Sequence, residues 1–422
     1  MFKPENNSLD AAEAFDVADE LRQFRAQFHF PQHNGKDQLY FAGHSLGLMP
    51  KKATAYVNQE LEAWAKYGVE GHFKGKHPWL PYHENITSSF AKLVGAKESE
   101  VVAMNTLTVN LHLMMVSFYN PNSSRSKILI ENNTFPSDKY AVDSQARYHG
   151  LKPEDVVVEL KSDQADGMSV SDDRIIETIK GLGSTLSLVM LGNCNYLSGQ
   201  KFNFQKIVEA ARSVGAFVGF NLAHGAGNLQ MQLHDWDADF AVWCSYKYLN
   251  AGPGGLAGAF VHERHHQNKS ISRFEGWWGH NKDSRFKMGP NFEPIPTTEA
   301  WQLSNPPILQ LASLRSSMEL FDQATVTKLR KKSDHLTSYF EWLIEQNLKG
   351  TAEVITPKSR GSMLSLKLAK NPKLFMDQLI ENGAIVDFRE PNIIRATPVP
   401  LYNSYQDVFK LVTLIKEISH AK

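Results

Sequence analysis

Short apolar runs alternate with helical patterns along most of the chain. Apolar runs bounded by turn residues predict buried strands, and apolar residues recurring every three or four positions predict helices. Strand-like runs occur at 101–104, 127–131, 186–195, 216–228 and 240–244, and helical patterns at 9–29, 51–67, 84–95, 109–118 and about 203–214. This alternation predicts an α/β fold with a mostly parallel central sheet and crossover helices.

The pattern changes after residue 305. A long helical stretch runs from Pro306 to about Gln346, and strand and helix patterns then alternate up to a closing helix that starts at Ser404. We therefore predict a smaller α+β domain at 306–422 and a large domain at 51–305. Residues 1–50 are expected to pack on the small domain or over the active site.

Composition narrows the class of protein. The 422 residues include 45 Lys plus Arg and 45 Asp plus Glu, so the formal charge is zero and no global field favours nucleic acid or an anionic membrane. The chain has no run of 18 apolar residues and no signal-like start, so we expect a cytoplasmic protein. The histidines form no HExxH pattern and only two cysteines occur, so no metal is expected.

One lysine stands out. The apolar run from Phe240 to Cys244 stops at Ser245, Tyr246 and Lys247, and a glycine-rich turn follows. Ligands of open α/β sheets bind outside the carboxyl ends of strands, where Lys247 would emerge. An amine there is placed for covalent chemistry with an aldehyde. The alternative is that Lys247 ends the strand in solvent.

The ends of other predicted strands carry polar and aromatic groups that could bind a ligand. The join before the helix at 109–118, with Thr106 and Thr108, would offer free N–H groups to a phosphate. Phe135 and Asp138 follow the run at 127–131, and the run at 216–228 is expected to be a strand that ends at Asn221 and His224. A single crevice would gather them all.

These groups together suit pyridoxal phosphate. That cofactor needs a lysine amine, a phosphate-binding helix start, a stacking aromatic ring and a polar partner for its ring nitrogen. Arg395, at the end of a strand in the small domain, suits the carboxylate of an amino acid. Residues alone therefore predict a pyridoxal-phosphate enzyme that acts on an amino acid.

Longer stretches resemble a known family. The chain is similar to kynureninases over almost its whole length, in MNTLTVNLH, FPSDKYA, DFAVWCSYKYLNAGPGG, RFKMGPNF, SNPPIL and RATPVPLYNS. The resemblance implies pyridoxal-phosphate fold type I and a homodimer whose active sites are shared between subunits. It also implies hydrolysis of kynurenine or 3-hydroxykynurenine to alanine and anthranilate or 3-hydroxyanthranilate, a step of tryptophan catabolism and NAD biosynthesis.

The same resemblance assigns roles to individual residues. Lys247 resembles the Schiff-base lysine, and Tyr246 the tyrosine that touches phosphate and serves as a proton donor. The expected cofactor contacts are Leu107, Thr108, Phe135, Asp138, Asn221, His224, Tyr246, Lys247, Trp277 and Asn305, with Trp277 and Asn305 reaching the site from the partner subunit. The expected substrate contacts are Arg395 as carboxylate clamp and His72, Ser304 and Asn305, which match members that favour the hydroxylated ring.

Two positions depart from the family. Asn221 stands where the resemblance implies aspartate, and Gly192, in the stretch 192–200, stands where a serine is expected. A neutral amide cannot supply the charge that stabilises a protonated pyridine ring. Three functions therefore remain open: a kynureninase, a related enzyme that performs transamination or β-elimination, and a folded dimer without turnover. For the first, Asn221→Asp is expected to raise turnover.

Overall fold

The computed structural model describes residues 2–164, 166–369 and 372–420, and a seven-stranded sheet lies at its centre. Its strands, in chain order, are β6 (Val101–Ala103), β7 (Lys127–Ile130), β8 (Val157–Glu159), β9 (Leu186–Gly192), β10 (Phe217–Asn221), β11 (Phe240–Trp243) and β12 (Gly258–Val261). Their order is β6-β12-β11-β10-β9-β7-β8. Strands β8, β7, β9, β10 and β11 are parallel, and only β12 runs against its neighbours. The predicted mostly parallel sheet is confirmed.

Helices cover both faces of this sheet. They are α2 (Ala53–Tyr67), α3 (Thr87–Val94), α4 (Leu107–Phe118), α5 (Pro136–Tyr148), α6 (Pro153–Val156), α7 (Asp172–Leu182) and α8 (Phe204–Ser213). Alternate strand residues serve the two layers: Ile128 and Ile130 pack with side chains of α4 and α5, whereas Leu129 joins the opposite core with α7 and α8. Both faces are therefore apolar, which explains why the strands look continuously hydrophobic.

The long helical stretch after 306 is two helices, α9 (Ile308–Ala324) and α10 (Val326–Asn347). They meet at Thr325, whose φ is 62° and whose side chain accepts from the Lys328 N–H as a new cap. Helix α9 buries Leu311 and Leu314 in the core of the large sheet. The domain boundary that we expected at 306 therefore lies too early, because α9 packs with the large domain.

The small domain holds a four-stranded antiparallel sheet of order β13-β14-β17-β16. Its elements are β13 (Ala352–Val354), β14 (Leu364–Leu368), α11 (Pro372–Glu381), β15 (Ala384–Ile385), β16 (Asp387–Arg389), β17 (Ile393–Ala396) and α12 (Tyr405–His420). Buried residues of α10, α12 and the sheet form a separate apolar core. The predicted α+β arrangement is present.

The N-terminal segment contacts both domains. It contains α1 (Leu9–Ala18), β1 (Phe28–His29), β2 (Gln32–His33), β3 (Lys36–Asp37), β4 (Leu39–Tyr40) and β5 (Met49–Pro50). The helix predicted over 9–29 ends at Ala18, and a 3-10 helix covers Arg22–Gln27. Strand β4 pairs in parallel with β15, and Gly47 donates its N–H to the carbonyl of Tyr246 at 2.8 Å. Within the described residues, none of the helices has the length and apolar character needed to cross a membrane.

Candidate active site

A cavity of about 280 Å³ lies at the carboxyl ends of the central strands, between the two domains. The register places Asn221 of β10 beside Gly192 of β9 and Val242 of β11, so the strand ends line up there. The cavity is lined by His44, Ser45, Thr106, Leu107, Thr108, Glu131, Phe135, Ser137, Asp138, Gly192, Cys194, Tyr196, Asn221, Ala223, His224, Tyr246, Lys247, Arg389 and Arg395.

Lys247 lies in the turn that follows β11. Its Nζ is 3.2 Å from Nε2 of His224 and 5.9 Å from the centre of the Phe135 ring. Burial lowers the pKa of the lysine, and burial together with the Lys247 charge holds the pKa of His224 well below its usual value. The amine thus faces a neutral imidazole and deprotonates more readily than a surface lysine.

The N-terminal segment closes the site from behind the lysine. A Cβ added at Gly47 would lie 2.3 Å from the carbonyl oxygen of Lys247 and 2.2 Å from Oδ1 of Asn250. Only glycine permits such a close approach of two backbones. The glycine-rich stretch 43–47 is therefore part of the site and holds the Lys247 turn in place.

One end of the cavity is built from two helix starts. Helix α4 begins at Leu107, and Thr106 before it makes no side-chain cap, so N–H groups of the first turn are left for a ligand. The Thr108 hydroxyl lies 3.1 Å from the Ser137 hydroxyl in the first turn of α5. Two helix N-termini with paired hydroxyls suit a phosphate group.

The floor of the cavity carries an acid–amide pair. Asn221 donates from Nδ2 to Oδ2 of Asp138 at 2.6 Å, and its Oδ1 accepts the Ala223 N–H at 2.9 Å. Burial raises the pKa of Asp138 to about 6, so the carboxyl is ionised above that pH. A carboxylate therefore stands directly beside Asn221, where the sequence alone indicated only a neutral amide.

Arg395 is buried and already oriented. Its Nε donates to Oδ1 of Asp387 at 2.9 Å, and its Nη1 donates to the carbonyl of Tyr196 at 2.5 Å. Each Nη still has a second N–H. Arg389 lies 2.9 Å from the same Asp387 oxygen. Arg389 of β16 and Arg395 of β17 thus form a positively charged end of the cavity that is already oriented.

The structure brings together most of the residues singled out from the sequence. Leu107, Thr108, Phe135, Asp138, Asn221, His224, Tyr246, Lys247 and Arg395 all line one cavity. The cavity is also lined by residues that the sequence patterns did not indicate: Glu131, Tyr196, Arg389, Ser137 and His44. Position at a strand end was a signal for Glu131, which directly follows β7, but Tyr196 and His44 reach the site only through loop packing.

Four expected residues lie outside the cavity of this chain: His72, Trp277, Ser304 and Asn305. Trp277 is 41% exposed and donates from Nε1 to the Arg285 carbonyl at 3.1 Å. Its ring contacts Phe286, which in turn contacts Phe73, and both phenylalanines are more than half exposed. An exposed aromatic patch of this kind is typical of an interaction surface.

Two clusters away from the cavity bring possible metal ligands within 4.8 Å of one another: Glu100 with His234 and His262, and His83 with Glu84 and Glu299. In the first, Glu100 already bonds to His234 at 2.9 Å and to the Glu263 N–H. In the second, Glu299 bonds to His83 and Lys282, each at 2.9 Å. Protein partners thus satisfy these carboxylates, and the clusters hold neighbouring segments together.

Comparisons with known proteins bear on both sequence and fold. Residues 329–415 match a family described as "Kynureninase C-terminal domain". A kynureninase of Myxococcus xanthus is 54% identical over 420 residues, which cover 99% of this chain and 98% of that relative. A kynureninase of Koribacter versatilis is 49% identical, covering 96% of this chain and 97% of that relative.

Solved structures share the architecture at low sequence identity. The cysteine desulfurase CsdA of Escherichia coli matches with a TM-score of 0.77 at 17% identity, covering 95% of this chain and 98% of that one. A mutant of C-DES with glycine covalently linked to its pyridoxal-phosphate cofactor matches with a TM-score of 0.74 at 14% identity, covering 90% of this chain and 96% of that one. These likenesses confirm the predicted fold.

Proposed function

The chain belongs to the kynureninase family, and from this premise we propose that it hydrolyses kynurenine and 3-hydroxykynurenine to alanine and anthranilate or 3-hydroxyanthranilate. One observation carries the proposal: the Lys247 amine, the Asp138–Asn221 pair and the Arg395 guanidinium open into one cavity. An amino acid held by its carboxylate at Arg395 reaches the lysine within this cavity. We propose in addition that the protein acts in tryptophan catabolism and NAD biosynthesis, in the cytoplasm.

The residues of the cavity fit pyridoxal phosphate. Leu107 and Thr108 at the start of α4, together with Ser137, would hold the phosphate, and the exposed face of Phe135 would contact the ring. Asp138 and Asn221 offer a carboxylate and an amide to the ring nitrogen. When bound, the cofactor supplies an aldehyde that bonds to amines and a ring that withdraws electrons from an attached amino acid.

Lys247 has two tasks in this proposal. As a neutral amine it would hold the cofactor at its aldehyde carbon, and as a free amine in the presence of substrate its Nζ would take the proton from the substrate Cα. Burial, which lowers its pKa, favours the neutral form needed for both tasks. The imidazole of His224 at 3.2 Å stays uncharged and adds no second positive charge beside the amine.

Tyr246 is the proposed proton donor. Water adds to the γ-carbonyl of the substrate, the Cβ–Cγ bond breaks, and Cβ then needs a proton before alanine can leave. Burial raises the pKa of Tyr246 well above its usual value, so the phenol keeps its proton until a strong base forms next to it. Tyr246 lines the same cavity as Lys247.

Arg395 would hold the α-carboxylate through its free Nη hydrogens. Asp387 and the Tyr196 carbonyl fix the guanidinium plane, so little side-chain entropy is lost when the substrate binds. The nearby Arg389 adds positive charge at the same end. This end of the cavity therefore selects amino acids.

We further propose a homodimer with shared active sites. The exposed aromatic patch of Phe73, Trp277 and Phe286 supports it, since such a surface favours burial against a second copy. Trp277 and Asn305 would then complete the partner's cofactor site. His72, Ser304 and Asn305 would contact the ring of the substrate and favour its 3-hydroxy form, because polar groups built for a hydroxyl penalise a substrate that lacks it.

Asn221 is also compatible with a second function. Asn221 Nδ2 can only donate a hydrogen bond to a ring nitrogen, which suits an unprotonated ring and weakens its pull on electrons. Transamination or β-elimination on an amino acid is therefore the alternative, together with a folded dimer that lacks turnover. The Asp138 carboxylate, 2.6 Å from this amide, supports hydrolysis instead.

Product analysis tests the proposal. The purified protein is supplied with pyridoxal phosphate and either 3-hydroxykynurenine, kynurenine or a panel of other amino acids. We expect alanine and the aromatic acid in equal amounts, and no turnover by Lys247→Ala. Release of a 2-oxo acid or of ammonia in place of alanine would identify transamination or β-elimination. An absence of product at full cofactor occupancy would identify the folded dimer that lacks turnover.

A further inference from the structure

Residues 192–200 connect the floor of the cavity to the carboxylate clamp; we call this segment the β9 loop. Asn195 organises it: its Oδ1 accepts the N–H groups of Leu197 at 2.9 Å and Ser198 at 2.8 Å. The next residue, Tyr196, places its ring 5.4 Å from that of Phe135 and accepts from Arg395 at its carbonyl. The β9 loop thus contacts both the Phe135 ring and Arg395, the proposed carboxylate clamp.

Glu131 holds this loop from below. It is 5% exposed, directly follows β7, and its Oε2 accepts from Nδ2 of Asn195 at 3.0 Å. Both ends of the Asn195 amide are therefore engaged, Oδ1 by the loop backbone and Nδ2 by the glutamate. The reaction proposed above leaves this buried carboxyl without a role.

Gly192 makes room for the glutamate. A Cβ at this position would lie 2.7 Å from Oε1 of Glu131, closer than side-chain atoms approach. A serine at 192 would push the Glu131 carboxyl out of its place. Gly192 and the β9 loop are thus parts of one arrangement, in which Glu131 takes the space that the side chain of residue 192 would fill.

We propose that Glu131 is a positioning residue for substrate binding: through Asn195 it fixes the β9 loop, and through the loop it holds Tyr196 and Arg395 in the geometry that receives the carboxylate of an amino acid. This inference rests on the proposed function for the identity of the substrate. The contact path from Glu131 to the clamp is a property of the chain itself.

The contact should survive protonation of the glutamate. Burial raises the pKa of Glu131 to about 7, with Asp138 as the nearby like charge and the Asn195 amide acting against the shift. In both protonation states an oxygen remains to accept from Asn195. Glu131→Gln can keep this bond through its amide oxygen, whereas Glu131→Ala leaves the Asn195 Nδ2 group buried without a partner.

The experiment compares two inhibitors of the holoenzyme, one with and one without a carboxylate. Alanine carries the carboxylate and ethylamine lacks it, and calorimetry gives both dissociation constants. In Glu131→Ala we expect alanine affinity to fall about five- to tenfold, the scale of one buried hydrogen bond, with ethylamine affinity changed less than twofold. Asn195→Ala should show the same selective loss, the double variant no more than either, and Glu131→Gln close to wild-type values.

Kinetics and hydrogen exchange complete the test. Glu131→Ala should raise KM for kynurenine more than it lowers kcat, and should speed amide exchange at Leu197 and Ser198 even without cofactor, while Glu131→Gln should do neither. Equal losses for alanine and ethylamine, or a Glu131→Gln that behaves like Glu131→Ala, would overturn the proposal. Exchange does not depend on turnover, so a protein that fails to hydrolyse kynurenine can still pass or fail this test. If Glu131→Ala does not fold, the same measurements on Asn195→Ala test the proposal.

Discussion

The Asp138–Asn221 contact predicts that Asp138 supplies the negative charge that the sequence places in doubt. Asp138→Asn removes the carboxylate that bonds to Asn221 at 2.6 Å and leaves two amides at the floor of the cavity. A hydrogen bond that involves a charged group contributes about 1.5–3 kcal/mol. If that contribution arises mainly in the transition state, kcat falls about 10- to 100-fold.

The pH dependence has a definite sign. The pKa of Asp138 is raised from 3.8 to about 6 by burial, so the charge needed for turnover is lost below about pH 6. We expect an acid limb at or below this pH in the wild-type profile, because a positively charged ring beside Asp138 lowers the pKa of the carboxyl, and we expect its absence in Asp138→Asn. Because the folded protein binds this proton more tightly than the unfolded chain, the carboxyl stabilises folding below pH 3.8, and that contribution is lost as the pH rises to about 6.

Asp138→Asn should therefore make the cofactor-free protein more stable at pH 8 while making the loaded enzyme slower. The shift from 3.8 to about 6 corresponds to about 1–3 kcal/mol after allowance for solvent screening in the cavity. Urea unfolding at pH 8 and pH 5 measures this gain, which should shrink at the lower pH. A general packing defect would instead lower both stability and turnover.

The assay is steady-state turnover of kynurenine at matched cofactor occupancy, since a weaker ring contact also lowers cofactor affinity. Asp143→Asn is the matched control, because it makes the same substitution in α5 at a carboxylate that pairs with Lys139 at 2.6 Å outside the cavity. A kcat of Asp138→Asn within twofold of wild type at full occupancy would refute the reasoning. The charge would then come from elsewhere or not be needed.

Three further predictions concern other residues of the proposed cofactor and substrate sites. Asn221→Asp should raise turnover by less than about tenfold, because Asp138 already supplies one carboxylate; no gain at full occupancy would remove Asn221 as a limiting residue. Arg395→Lys should raise KM about 10- to 100-fold with a smaller change in kcat, since a lysine cannot bind a carboxylate bidentately; an unchanged KM would exclude the clamp. Wild type should prefer 3-hydroxykynurenine by kcat/KM, and Asn305→Thr should weaken that preference; equal specificity constants in wild type would contradict the assignment.

The large sheet could be predicted because its strands are buried on both faces. The runs at 127–131 and 240–244 appear as β7 and β11, and the residues that follow them, Asp138 and Lys247 among them, meet at one edge. Parallel topology alone brings strand ends together. This is why polar residues after apolar runs pointed to residues that line the cavity.

Other features depend on contacts between distant segments. The helical pattern after 306 continues through the break at Thr325, whose left-handed φ has no sign in the apolar spacing. Tyr196 lies in a loop with no regular structure and reaches the clamp through its backbone carbonyl, which any residue type possesses. Glu131 acquires its role from the space left by Gly192, which becomes visible only when β7 and β9 are paired.

We propose that Lys247 is the lysine to which the cofactor bonds, and peptide mapping after reduction tests this assignment. The purified protein is loaded with pyridoxal phosphate, reduced with borohydride, digested and analysed by mass spectrometry, with Lys247→Ala treated in parallel. We predict one modified peptide, which contains Lys247, and no stoichiometric modification of the variant. Stoichiometric labelling of another lysine, or an unlabelled Lys247 in a protein that turns over kynurenine, would contradict the account.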